Sequence, residues 1–171
     1  MLSPPLDASP EDVRALLLPL RNDFSVAVES PGNAFAVGAI IRVAHSFLAR
    51  EIFVIGEAPF YAKASMGMEK YETVVTVRDV DAFLDATRGR PRYCFEREHA
   101  RRSVYAVESF PKNVVLVFGS ERFGLTTGLM NAADDILAIP QYGVNQSFPV
   151  AIAAGIAMSE WARRHYHGAG A

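Results

Sequence analysis

The chain has 171 residues, half of them hydrophobic, which suits one domain of ordinary size with a real core. Its net charge of −2 excludes a protein that works through bulk positive charge, though a local basic patch remains compatible with nucleic acid. It has no run of about 18 apolar residues, so no membrane span is predicted. Met1-Leu2-Ser3-Pro4-Pro5 lacks the basic start and apolar block of a signal peptide, and the single cysteine, Cys94, cannot form an intrachain disulfide. A cytoplasmic protein is expected, with Cys94 as a buried small hydrophobe.

Residues 1–9 read as a loose, proline-rich start. A short helix from Pro10 to about Leu18 follows, with Ser9 as N-cap and Asp12 at N3. Residues 24–28 form a strand by composition, and 29–33 a loop. From Val37 the period becomes helical: Val37, Ile40, Ile41, Ala44, Phe47 and Leu48 make one apolar stripe, with Arg42, His45 and Ser46 pointing away. Residues 51–56 are a strand closed by glycine, so the chain opens with the βαβ pattern of a parallel sheet.

Residues 57–71 show no clear period. Strands are predicted at 73–77, 92–95, 113–118 and 135–139, and helices at 80–87 and 126–133. The apolar run 113–118 is that of a central parallel strand buried on both faces. Residues 96–110 are charged and give no element. The final helix carries Val150, Ala153, Ala154, Ala157, Met158 and Trp161 on one face and ends in Arg163-Arg164-His165, which suits the negative end of its dipole.

Loops 29–36, 119–125 and 139–147 are placed to converge at one end of the sheet, where ligands of open α/β proteins bind. None is a dinucleotide or P-loop fingerprint, and there is no clustered His and Cys set, so no metal is expected. Each candidate also has an ordinary reading. Arg42 suits a solvated helix face, Glu121 a turn, Ser147 an N-cap and Asn33 a loop, while Gly119, Gly124 and Gly143 suit turns. The residues alone give a parallel α/β protein with a set of ligand loops, and no reaction.

At these positions the chain resembles the SpoU/TrmH family of SPOUT RNA methyltransferases. Three motifs carry the likeness, in order: Asn33 with Gly38-Ala39-Ile40-Ile41-Arg42; residues 115–125 around Gly119-Ser120-Glu121; and Ile139-Pro140-Gln141-Tyr142-Gly143 with Ser147-Phe148-Pro149-Val150. The resemblance implies one SPOUT domain over 1–171, with 1–22 as an N-terminal extension. It implies a parallel-sheet α/β fold with helices on both faces and a C-terminal trefoil knot. It also implies an obligate homodimer and S-adenosyl-L-methionine as methyl donor to a ribose 2′-hydroxyl of tRNA or rRNA.

By the same resemblance Arg42, Asn33, Glu121 and Ser147 are the catalytic set. Phe118, Gly119, Ser120, Leu125, Ile139, Pro140, Tyr142, Gly143, Ser147 and Phe148 surround the cofactor. Arginine stays protonated, so Arg42 is expected to hold a phosphate and stabilise alkoxide charge rather than act as a free base. The third motif departs from the usual Ser-Leu-Asn by carrying Phe148 and Pro149, which removes a carboxamide and a backbone donor. Two other readings share these residues: a non-catalytic RNA-binding dimer, and a methyltransferase acting on a base. Arg97, Arg101, Arg102, Lys63 and Lys70 are candidate RNA contacts or solvated charges.

Overall fold

The computed structural model describes residues 7–30, 32, 34–145 and 147–165. Seven strands form one sheet: β1 (Ser25–Glu29), β2 (Ile52–Ile55), β3 (Val74–Val77), β4 (Arg92–Phe95), β5 (Arg102–Ser103), β6 (Val115–Phe118) and β7 (Asp135–Ala138). Their order is β3-β2-β1-β6-β4-β7-β5, and every pairing is parallel. β6 lies in the middle, pairing Leu116 with Val26 of β1 on one side and with Tyr93 of β4 on the other. All four of its residues are buried, as its unbroken apolar run predicts.

Alternate residues of each strand enter two separate cores. Val26, Val28, Ile52, Val54, Leu116, Phe118 and Leu137 pack with α2 (Ala34–Ser46) and α5 (Val150–His165) on one face. Ala27, Phe53, Ile55, Cys94, Val115, Val117 and Ile136 pack on the other, with Phe83 of α3 (Val80–Ala86) and Leu129 of α4 (Thr127–Asn131). Cys94 is buried as expected. The loss of solvent pushes its thiol up to about 12.

The helices form where their signals lie. α1 (Pro10–Leu17) has a capping box: the Asp12 N–H donates to Ser9 Oγ, and the Ser9 N–H to the Asp12 carboxylate. α2 starts at Ala34, earlier than the stripe suggests. The stripe marks the buried face, and the first turn is exposed at Ala34 and Phe35. At the far end of α5, Trp161 packs on Phe24 with ring centroids 4.4 Å apart and donates its Nε1–H to the Pro111 carbonyl at 3.2 Å.

Residues 57–71 have no period because they form two 3₁₀ turns, Ala62–Ser65 and Met68–Lys70, joined through left-handed Met66 and Gly67. The charged stretch after β4 holds the edge strand β5, only two residues long and too short for an alternating pattern. One expectation is corrected at α5. Ser147 lies before the cap, and the Pro149 carbonyl accepts the first helical bond, from the Ala153 N–H at 3.0 Å. Among the described residues no helix is long and apolar enough to cross a membrane.

Candidate functional site

The strand order sets the carboxyl ends of β6, β4 and β7 side by side. A cleft of about 290 Å³ opens there, and the entry to α5 closes it. It is close to the small end of the usual range for small-molecule sites, ~300–1,000 Å³. β4 contributes Phe95 and, beyond it, Glu96, Arg97 and Glu98; β6 contributes Phe118, Gly119, Ser120, Glu121 and Gly124. Leu137, Ile139 and Gln141 come from β7 and its loop, and Ser147, Phe148, Val150 and Ala153 from α5 and the approach to it.

The wall after β6 is a tight turn. Ser120 and Gly124 exchange two backbone hydrogen bonds of 2.9 Å, and Ser120 Oγ accepts the Phe123 N–H at 2.9 Å. A Cβ at Gly119 would overlap the backbone of Gly124 and Leu125, so only glycine allows the turn to fold this closely. Gly124 takes φ +68°. The Ser120 hydroxyl thus closes the turn as well as lining the cleft.

Glu29, buried at the end of β1, ties this segment to the sheet by accepting the Thr126 N–H at 3.1 Å. Burial pushes its carboxyl above the ordinary range. Gly32 lies close to Arg122 of the turn, and among the described residues of loop 29–36 none lines the cleft.

One side of the cleft is apolar (Phe118, Leu137, Ile139 and Phe148). The rim is acidic, with Glu96, Glu98 and Glu121 against Arg97, whose guanidinium lies 3.9 Å from Glu98. This set of acceptors beside an apolar wall suits a flat, hydroxyl-bearing ligand with positive charge. Among the described residues no group of His, Cys, Asp and Glu is arranged to hold a metal ion.

Of the residues expected at the site, the cleft brings together Phe118, Gly119, Ser120, Glu121, Ile139, Ser147 and Phe148. Leu125 lies beneath the turn in the core around Leu129. Pro140 is partly buried outside the cleft, Gly143 is exposed, and Tyr142 is 97% exposed and does not line the cleft. Asn33 lies outside the described residues.

Arg42 is exposed on α2 and is not a cleft wall. α5 stands between them. Its Val150 and Ala153 face the cleft, while Ala151, Ile152, Gly155 and Ile156 line a groove on its opposite side together with Val43 of α2. Of the other cations, Arg102 pairs with Asp135 at 2.6 Å and Arg101 donates to the Asp134 carbonyl at 3.1 Å, so both brace the start of β7. Lys63 is exposed.

The sequence reading missed Glu96 and Glu98 as cleft residues. A strand end followed by carboxylates was visible, but nothing local says that β4 lies between β6 and β7.

The profile of the SpoU rRNA Methylase family matches residues 23–159. The SpoU methyltransferase AviRb from Streptomyces viridochromogenes, in complex with AdoMet, superposes with a TM-score of 0.77 at 25% identity over 98% of this chain and 64% of that one. The AdoMet-bound rRNA methyltransferase from Sinorhizobium meliloti gives 0.71 at 29% identity, over 88% and 59%. The A. aeolicus TrmH/SpoU tRNA modifying enzyme gives 0.78 at 23% identity, over 91% and 82%, a likeness of fold alone. The chain thus spans less than two thirds of the length of the first two. A comparison with curated proteins gives no match.

Proposed function

The chain belongs to the SpoU rRNA methylase family, and from that premise we propose that it is an S-adenosyl-L-methionine-dependent methyltransferase acting on a ribose 2′-hydroxyl of tRNA or rRNA. The observation that carries the reading is the cleft itself, where motif residues distant in sequence meet at the carboxyl ends of three parallel strands. Two of the structural relatives are complexes with AdoMet. We read residues 1–171 as one SPOUT domain with its C-terminal part threaded as a trefoil knot, working in the cytoplasm.

The residues present fit the cofactor. The apolar side, with Leu137, Ile139 and Phe148, suits an adenine ring. Glu96, Glu98 and Glu121 can accept from ribose hydroxyls and favour a cationic ligand electrostatically. S-adenosyl-L-methionine supplies a methyl group on a sulfonium, which leaves as the neutral thioether of S-adenosyl-L-homocysteine.

The ribose oxygen gains the methyl and releases its proton to solvent, so the protein must stabilise negative charge developing there. Arg42 does this by holding the neighbouring phosphate and the oxygen, with Ser147 and Glu121 at the cleft as partners for the substrate hydroxyl. Because α5 separates Arg42 from the cleft of its own chain, we assign the reaction to a homodimer in which Arg42 of one copy serves the cleft of the other. The groove of Val43, Ile152, Gly155 and Ile156, and the exposed Tyr142 and Val144, are the surfaces a second copy covers.

Calorimetric titration with S-adenosyl-L-methionine, followed by transfer of a labelled methyl group to bulk tRNA and rRNA, tests the reading. Saturable binding and a 2′-O-methyl nucleoside on digestion are expected. A methylated base would overturn the ribose assignment, and no cofactor binding with RNA present would overturn the enzyme.

A further inference from the structure

Phe35 and Tyr61 form an aromatic pair that the core does not use. They are 66% and 49% exposed, yet their rings stack at a centroid distance of 6.2 Å with 19° between planes. The backbone beneath them is fixed. The Tyr61 N–H donates to the Ala34 carbonyl at 2.8 Å, and Gly38 lets residues 61–65 press against α2, since a Cβ there would meet Tyr61 O and Ala64 Cβ. The fixed backbone places the two rings side by side with ring surface open to a ligand.

Charge says what the pair suits. Arg42 lies seven residues beyond Phe35 on α2, so both share one helix face about 10 Å apart along the axis. Exposed Lys63 follows two residues after Tyr61, in the 3₁₀ turn that Tyr61 caps. Val43, which lines the aliphatic groove along α5, lies about 80° further round the helix. The aliphatic side suits a second copy, and the aromatic side with its two cations suits a nucleic-acid strand.

Resting on the RNA methyltransferase reading, the geometry points to Phe35 and Tyr61 as a stacking platform for an unpaired base of the substrate RNA, next to the backbone that Arg42 holds. A base inside a duplex has both faces covered by its neighbours, so the platform selects loops or single strands. It lies on the first turn of α2 and at the start of the 3₁₀ turn Ala62–Ser65, and neither ring lines the cofactor cleft.

The test measures binding of an unpaired oligoadenylate, of the same strand annealed to its complement, and of unfractionated tRNA, to the wild type, Phe35→Ala, Phe35→Leu and Phe35→Trp. The wild type should prefer unpaired RNA. Phe35→Ala and Phe35→Leu should each weaken it about tenfold, and Phe35→Trp should restore it, because a ring face and not apolar area is required. S-adenosyl-L-methionine affinity and sedimentation should be unchanged in all four proteins.

Equal binding by Phe35→Ala and wild type, or full retention by Phe35→Leu, overturns the platform and leaves the methyltransferase reading intact. Dissociation of the dimer in Phe35→Ala overturns it in favour of a subunit contact. A wild type that binds neither unpaired RNA nor tRNA overturns both.

Discussion

Replacing Gly119 with alanine probes the cleft at the point where its backbone is most tightly folded. The new Cβ would overlap backbone atoms of Gly124 and Leu125, and no side-chain rotation can relieve a backbone clash. The turn must open, which puts at risk the two 2.9 Å bonds between Ser120 and Gly124. Each such bond contributes about 0.5–1.5 kcal/mol net, so the loss is about 1–3 kcal/mol. Drawn from cofactor binding, that is about fivefold to a hundredfold in Kd, at about 1.4 kcal/mol per tenfold. Drawn from global stability, it lowers Tm by roughly 2–12 °C. Gly143→Ala is the control: among the described residues beyond its chain neighbours, no atom lies within 4 Å of a Cβ there. Calorimetry with S-adenosyl-L-methionine and a thermal melt on both variants give the two numbers. Wild-type affinity and Tm in Gly119→Ala, or equal damage in Gly143→Ala, would refute the reasoning that this turn is a wall of the site.

Arg42→Ala should lose at least about two orders of magnitude in methyl transfer while calorimetry shows cofactor affinity unchanged, since Arg42 is not a cleft wall. At S-adenosyl-L-methionine concentrations too low to fill the Gly119→Ala cleft, mixed dimers of Arg42→Ala and Gly119→Ala should be more active than either variant alone, because one composite site is intact; no gain on mixing contradicts the shared site. Hydrogen bonds from Arg163 and Arg164 outweigh burial and hold the Glu160 carboxyl below its ordinary 4.5, so the unfolded chain binds the extra proton. The stabilisation is then present above pH 4.5 and lost as pH falls through the lower folded value. Glu160→Gln should cost about 1–2 kcal/mol in urea melts at pH 7, with the difference shrinking at pH 3. The Cys94 thiol, buried and raised to about 12, should resist a disulfide reagent at pH 8 until denaturant is added; rapid reaction of the native protein would contradict its burial.

Local pattern carried most of the elements. Four-residue apolar strands, the stripe of α2 and the cap of α1 are each written within one turn or one pleat, where period and burial coincide. The motif residues Gly119, Ser120 and Ser147 were legible as loop residues, and their chemistry came only from the family likeness. β5 escaped because two residues cannot show alternation, and the cap of α5 because a serine near a helix start competes with a backbone carbonyl that has no sequence signature.

The sequence by itself determined the buried faces of α2 and α5 and the full burial of β6, because period is a property of a single segment. Only the tertiary structure decided that β4 lies between β6 and β7, which brings Glu96 and Glu98 to the cleft, and that α5 stands between the cleft and Arg42. Strand order in a parallel sheet is set by how crossovers pack over its faces, a choice among competing long-range contacts that no local pattern records.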